Sequence, residues 1–173
     1  VLDEVCPSTL QSLFAKRYDL LKRTGIQSDY RFLKKYLLFS VDGVHFFESK
    51  KIKCKRCLEK KHRKGASSIH HSMLAAVLVH PDRREVFPVG CEAIQKQDGL
   101  SKNDCELNAS KRLQNKLLEA YEGQSAVIVE DALYANEPHL EQILDNGWDF
   151  IVNVKPTSLS LIHISEPTRL SAI

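Results

Sequence analysis

The sequence predicts an α/β fold, a mixed sheet with helices packed against it, and three observations carry that expectation. Apolar, β-prone runs of strand length recur at 36–41, 73–79, 126–129 and 148–154. Amphipathic helical periods stand before and between them. The strands come first in succession and then alternate with helices, which is the order of a mixed sheet rather than of a bundle or a sandwich. With 173 residues, 43% of them hydrophobic, the chain suffices for one ordinary domain with its own core.

The segment from Ser8 to about Arg23 carries Leu10, Leu13, Phe14, Tyr18, Leu20 and Leu21, with Ser8 or Thr9 able to cap it, and reads as an amphipathic helix. After the break at Gly25 a second short helix is expected over Tyr30–Lys35, closing a helical lead-in at 1–36. Leu37–Glu48 reads as one long strand kinked at Gly43 or as a strand followed by a bulge, and Asp42 sits in a sheet in either case. Beyond a loop at 49–72, Met73–Val79 and Glu85–Val89 form an antiparallel hairpin turned at Pro81-Asp82. Asn103 with Glu106 makes a capping box for a long helix whose apolar face, Leu107, Leu113, Leu117, Leu118 and Tyr121, runs to a stop at Gly123. A buried strand at Ala126–Val129, a helix at Pro138–Leu144 closed by Gly147, and a strand at Trp148–Val154 with Trp148 in the core complete the chain. This is the order of a ribonuclease-H-like fold, here incomplete, in which the first and fourth of these strands lie side by side. There is no internal repeat or low-complexity segment.

No apolar run approaches the roughly 20 residues that a membrane span requires, and the amino end has no charged-then-apolar signal, so a cytoplasmic protein with no membrane partner is expected. Five cysteines are too few and too uneven for a disulfide framework, which leaves Cys54-Lys-Arg-Cys57 as the one notable pair. The net charge of +3 is mild, but Lys50, Lys51, Lys53, Lys55, Arg56, Lys60, Lys61, Arg63 and Lys64 crowd one stretch against the single acid Glu59. Val1 opens the chain and Met73 is its sole methionine, so residues upstream of Val1 are expected. The run Leu159–Arg169 resembles a sequencing adapter translated in one frame, and 158–173 is therefore read as a non-native tail.

Metal-assisted phosphodiester chemistry needs carboxylates brought from different strands to one point, because hard cations such as Mg²⁺ or Mn²⁺ take oxygen ligands. Asp42 and Asp131 each close an apolar strand. A strand-terminal Asp is also a common turn former, so spacing leaves both readings open. Glu130 should point to the opposite face of the sheet from Asp131. Asp104 and Glu106 open the long helix, where the helix dipole and capping account for acids, a substrate or metal role being the alternative.

Three segments carry a resemblance: Ser40-Val-Asp-Gly43; Leu100-Ser-Lys-Asn-Asp-Cys-Glu106 with Lys111-Arg112; and Val127-Ile-Val-Glu-Asp-Ala-Leu-Tyr134. Together they resemble the transposase domain of insertion-sequence-four-type elements, members of the DDE class, over roughly Leu37 to Pro156. The resemblance implies a partial catalytic domain at 37–157, a divalent pair of Mg²⁺ or Mn²⁺ on Asp42 and Asp131, transposon-end and target DNA as partners, and a homo-oligomer. Family members complete the site with a Glu inside a Tyr, Arg, Glu and Lys pattern that this chain does not contain, so the chain as it stands is expected to be inactive.

A second constellation is Cys54-Lys-Arg-Cys57 with His62, His70 and His71 following; two thiolates and two imidazoles, Cys54 and Cys57 with His62 and His71, could hold Zn²⁺ and so order a loop too charged to fold by itself. An exposed reduced cysteine pair is the alternative. The nine basic residues can neutralise phosphates or simply be solvated; in a transposase setting, phosphate contact is the expectation. His45 and His80 adjoin strands and read as ordinary core or edge histidines. The competing functions are a zinc-stabilised nucleic-acid-binding module without catalysis, and an unrelated α/β domain whose acids are turn formers.

Overall fold

The computed structural model describes residues 11–52, 54, 57–61, 65, 67–96 and 102–153. The helix caps expected at Ser8 and Thr9 and the tail at 158–173 lie outside the described residues. The chain runs α1 (Gln11–Arg23), α2 (Ile26–Asp29), β1 (Arg31–Phe32), β2 (Tyr36–Ser49), β3 (Leu58–Lys61), β4 (Ser67–Val79), β5 (Phe87–Ala93), α3 (Lys102–Ala120) and β6 (Ala126–Glu130). A 3-10 turn (Ala132–Tyr134), α4 (Glu137–Asp145) and β7 (Asp149–Val152) follow. The strands form one mixed sheet in the order β3-β4-β2-β6-β7, with β1 on β2 and β5 on β4.

The helix expected over Tyr30–Lys35 is not there. The helical turn α2 ends at Asp29, and β1 pairs antiparallel with the start of β2. Leu33 and Lys34 between them both have positive φ, 50° and 58°. Two consecutive left-handed residues suit the tight turn that joins twisted strands. That turn normally takes Asn or Gly, so the sequence offers no sign of it.

In β2 the continuous run Leu37, Leu38 and Phe39 is buried, as befits a strand hydrogen-bonded on both edges, by β4 antiparallel and by β6 parallel. Gly43 pairs regularly with Leu74, so the irregularity lies later: the register slips between His45 and Phe47 and leaves Phe46 as the extra residue. The expected hairpin of β4 and β5 forms with longer arms, and part of the anticipated loop is itself a strand, since Leu58–Lys61 pairs with Ser67–His70 of β4. Pro88, which has no N–H to give, is tolerated on β5 beside a second register slip. The carbonyl of Val89 at that slip takes a 3.1 Å hydrogen bond from the Tyr121 hydroxyl. Helix α3 starts at Lys102, so Asn103 lies inside the first turn and is not the cap.

One face of the sheet carries Leu37, Phe39, Leu74, Ala76, Leu78 and Ile128 into a core closed by Leu113 and Leu117 of α3, by Tyr121 just after it, and by Tyr18 and Leu21 of α1. On α1 the buried side is Phe14, Tyr18 and Leu21, spaced four and three, while Leu13 and Leu20 lie off that side and are exposed. Aromatic edges knot the layers together: the ring centroids of Tyr18 and Tyr121 are 4.4 Å apart, those of Phe39 and Tyr121 5.0 Å, and those of Phe39 and Trp148 5.8 Å. No described helix is long and apolar enough to cross a membrane.

Two predictions follow from this packing. A Cβ on Gly90 would lie 3.1 Å from Leu117 Cδ2 and 3.3 Å from Leu113 Cδ1, so Gly90→Ala should force α3 side chains aside and cost about 1–3 kcal/mol in a urea melt. Burial pushes the Tyr18 phenol up to about 12, with the Arg31 charge and the Gln27 hydrogen bond offsetting only part of the rise. A raised folded value favours the protonated phenol, so that contribution is whole below the ordinary value near 10 and is lost as pH climbs through about 12. Tyrosinate absorbance and circular dichroism should therefore change together above pH 10, and Tyr18→Phe should move the transition to higher pH.

Candidate functional site

The parallel pairing of β2 with β6 runs from Leu37↔Ala126 to Ser40↔Val129. Asp42 and Asp131 each lie two positions past that last pair, and both are exposed. Asp131 follows the end of β6, but Asp42 does not close its strand as expected: β2 runs on to Ser49 through its pairing with β4, so Asp42 stands in mid-strand where the pairing with β6 stops. Asp131 is also a turn former, in keeping with the plainer reading, whereas Asp42 is a paired strand residue and forms no turn. Asp42 Oδ1 accepts from the Gly43 N–H at 2.7 Å, and Asp131 Oδ1 accepts from the Leu133 N–H at 2.9 Å, capping the 3-10 turn. The two roles are compatible, because Oδ2 of each carboxylate takes no hydrogen bond among the described residues. Oxygen donors carried by two neighbouring interior strands are of the kind that a hard divalent cation takes.

Strand alternation puts Glu130 on the helix-covered face, as expected. There it is buried with His139 from α4, at 2.6 Å between His139 Nε2 and Glu130 Oε2, and Ser110 of α3 donates to its other oxygen at 3.4 Å. With its proton on Nε2, His139 donates to the carboxylate; its backbone N–H is held by the Asn136 side chain that caps α4. The pair thus ties β6, α3 and α4 together next to Asp131. Nothing in the sequence marks this network, because a helical His and a strand-end Glu are common apart.

Glu106 departs from its expected role. It is buried, and its Oε1 is 3.7 Å from where a Cβ on Gly43 would stand, so it packs against β2 instead of merely facing the helix dipole. The Tyr134 hydroxyl is buried with no hydrogen-bond partner among the described residues. Burial first, then the carboxylates of Glu106, Glu130, Asp131 and Asp42, drive its pKa well above the ordinary phenol range. Four carboxylates therefore act on one point behind the exposed pair.

The second constellation lies farther out on the same arm. Cys54, Cys57 and His71 come together, with Cys54 Sγ to His71 Nε2 at 3.3 Å, Cys57 Sγ to the same nitrogen at 3.2 Å and the two sulfurs 3.6 Å apart. His62, Lys53, Lys55, Arg56, Arg63 and Lys64 lie outside the described residues. Lys50, Lys51 and Lys60 are exposed around the end of the arm, and Lys61 closes β3. His45 is an exposed strand histidine whose Nδ1 lies 2.6 Å from Ser72 Oγ, and His80 is half-buried at the end of β4. A cleft lined by Gly123, Gln124, Ser125 and Trp148 sits at the other end of β6 and touches neither aspartate.

No protein-family model and no curated protein matches the chain. Among solved structures it is similar to a piggyBac transposase, determined by cryo-EM as a synaptic complex with hairpin DNA, with 8% sequence identity and a TM-score of 0.47. The similarity covers 78% of this chain and 27% of that one, so the chain spans about a quarter of its length. A likeness at this level carries no functional inference.

The buried pair makes its own prediction. His139→Ala strands the Glu130 carboxylate in the core and should lower stability by about 3 kcal/mol, read by urea denaturation, whereas Ser110→Ala should cost only about 1 kcal/mol.

Proposed function

We propose that this chain is part of a DNA transposase of the DDE class, with a ribonuclease-H-like sheet whose Asp42 and Asp131 take divalent metal for phosphodiester cleavage and strand transfer. The observation that carries the reading is the equivalence of the two aspartates on neighbouring parallel strands, both exposed and both with a carboxylate oxygen to spare. The three motif segments that resemble insertion-sequence transposases support it, since they contain both aspartates. When bound, a Mg²⁺ or Mn²⁺ pair would supply positive charge to the phosphodiester and to the attacking water or 3′-hydroxyl. The protein's part is placement. The Gly43 and Leu133 N–H groups hold each carboxylate by one oxygen, and the Glu130–His139 pair anchors the strand end that carries Asp131. DNA would lie along the arm, with Lys50, Lys51 and Lys60 on its phosphates and Lys53, Lys55, Arg56, Lys61, Arg63 and Lys64 extending the patch.

A second reading, a nucleic-acid-binding module without catalysis, is favoured by the grouping of the exposed lysines away from the carboxylates. It predicts salt-sensitive DNA binding that Asp131→Ala leaves unchanged, without any divalent site at the aspartates.

Mn²⁺ titration of the chain decides between them. Binding should weaken in both Asp42→Asn and Asp131→Asn by more than the roughly tenfold loss typical of a mere supporting residue. Equal affinity in the parent and both variants would overturn the catalytic reading. Lacking the third acid, the chain should bind DNA without nicking it in Mg²⁺; nicking that Asp42→Ala abolishes would show that the site works without that acid.

A further inference from the structure

We propose that Cys54, Cys57 and His71 are three ligands of a structural Zn²⁺ that clamps the connection between β2 and β3 onto β4. The case stands on the geometry of the triad and is independent of any role for the aspartates. The three donor atoms form a closed triangle with sides of 3.2, 3.3 and 3.6 Å. Hydrogen bonding alone does not account for it, because an imidazole nitrogen has one lone pair or one proton and cannot meet two sulfurs in line. Tetrahedral zinc, at about 2.3 Å from sulfur and about 2.0 Å from nitrogen, has ligand-to-ligand edges of roughly 3.5–3.8 Å, close to the triangle seen.

The surroundings are those of metal-bound thiolates. Neither cysteine is in a disulfide. The Cys54 N–H donates to Cys57 Sγ, 3.1 Å away, and the Cys57 N–H donates to the Cys54 carbonyl at 3.3 Å, so the two cysteines are held together by backbone hydrogen bonds as well. Cys57 is buried and Cys54 exposed. The ring of His71 is stacked on Phe46 at 5.9 Å with an 18° interplanar angle, and Phe47 leans on it at 5.7 Å. The bulge in β2 is what lets two consecutive phenylalanines reach the same imidazole. Two soft thiolates and an imidazole select Zn²⁺ over Mg²⁺, so this centre and the carboxylate pair would take different metals.

The test uses the whole purified chain. Elemental analysis should find about one zinc per chain, and cobalt titration after zinc removal should give the intense visible bands of a tetrahedral ion with thiolate-to-metal charge transfer. Cys54→Ser with Cys57→Ser should remove both signals. His71→Ala should weaken metal retention against a chelator, while Asp42→Ala should leave zinc unchanged, which separates this site from the carboxylate pair. If the cysteine variants fail to fold, the cobalt spectrum of the parent chain still decides. Zinc below about a tenth of an equivalent, no thiolate charge transfer, and thiols that react at one rate with or without chelator would overturn the proposal.

Discussion

The feature on which the molecule depends is the parallel pairing of β2 with β6. It joins residues far apart in the chain, and everything between them must be accommodated before it can close. The antiparallel strands β3, β4 and β5 are laid on the other edge of β2, and α3 crosses the sheet to return the chain to β6. Such long-range closure is entropically costly and is offset only when apolar surface is buried with it. The contact of Phe39 with both Tyr121, which ends α3, and Trp148, which leads into β7, supplies that coupling. Sheet order and core are one constraint, and the two aspartates inherit their equivalence from it.

A second consequence concerns β2 itself. Its first half is central and apolar; its second half, paired with β4, runs out past the helices and is largely exposed. A ribbon of this kind has little core to hold it. Phe46, exposed on one side, finds its partner in the His71 ring, and that packing comes from the extra residue at the bulge. A metal at the neighbouring thiols would add the cross-link that apolar burial cannot provide in so charged a segment.

Much of the fold was legible in the sequence because burial leaves a periodic trace. The runs at 73–79 and 126–129 and the helix face ending at Tyr121 rest on such traces, while the side-by-side placement of the strands that carry Asp42 and Asp131 follows from the order of the elements. The failures have specific causes. Tyr30–Lys35 reads as helix because its turn uses Leu33 and Lys34 where Gly or Asn would announce it. Leu58–Lys61 reads as loop because its charges hide a strand that needs only backbone pairing with β4. At the candidate sites, Asp42, Asp131, Cys54, Cys57 and His71 are legible as residue types at suggestive spacing, and the structure brings the last three into contact. Glu130 with His139 was not legible, since a strand-end Glu and a helical His become a pair only through the tertiary approach of α4 to β6.

The separation of charges along the arm bears on both readings of function. At about 3.3 Å per strand residue, Lys50 stands roughly 25 Å from Asp42, more than twice the screening length of about 8–10 Å at ordinary ionic strength. The lysines therefore do little to neutralise the aspartates, and the aspartates do little to repel a phosphate backbone lying on the arm. Had the basic residues flanked Asp42 directly, they would compete with a divalent cation for the carboxylates. Because the β2–β4 ribbon is long, a cation site and a phosphate-binding surface can coexist on one chain, each keeping its own electrostatic character. On the proposed reading, the length of that ribbon, rather than any single residue on it, would let one nucleic acid meet both.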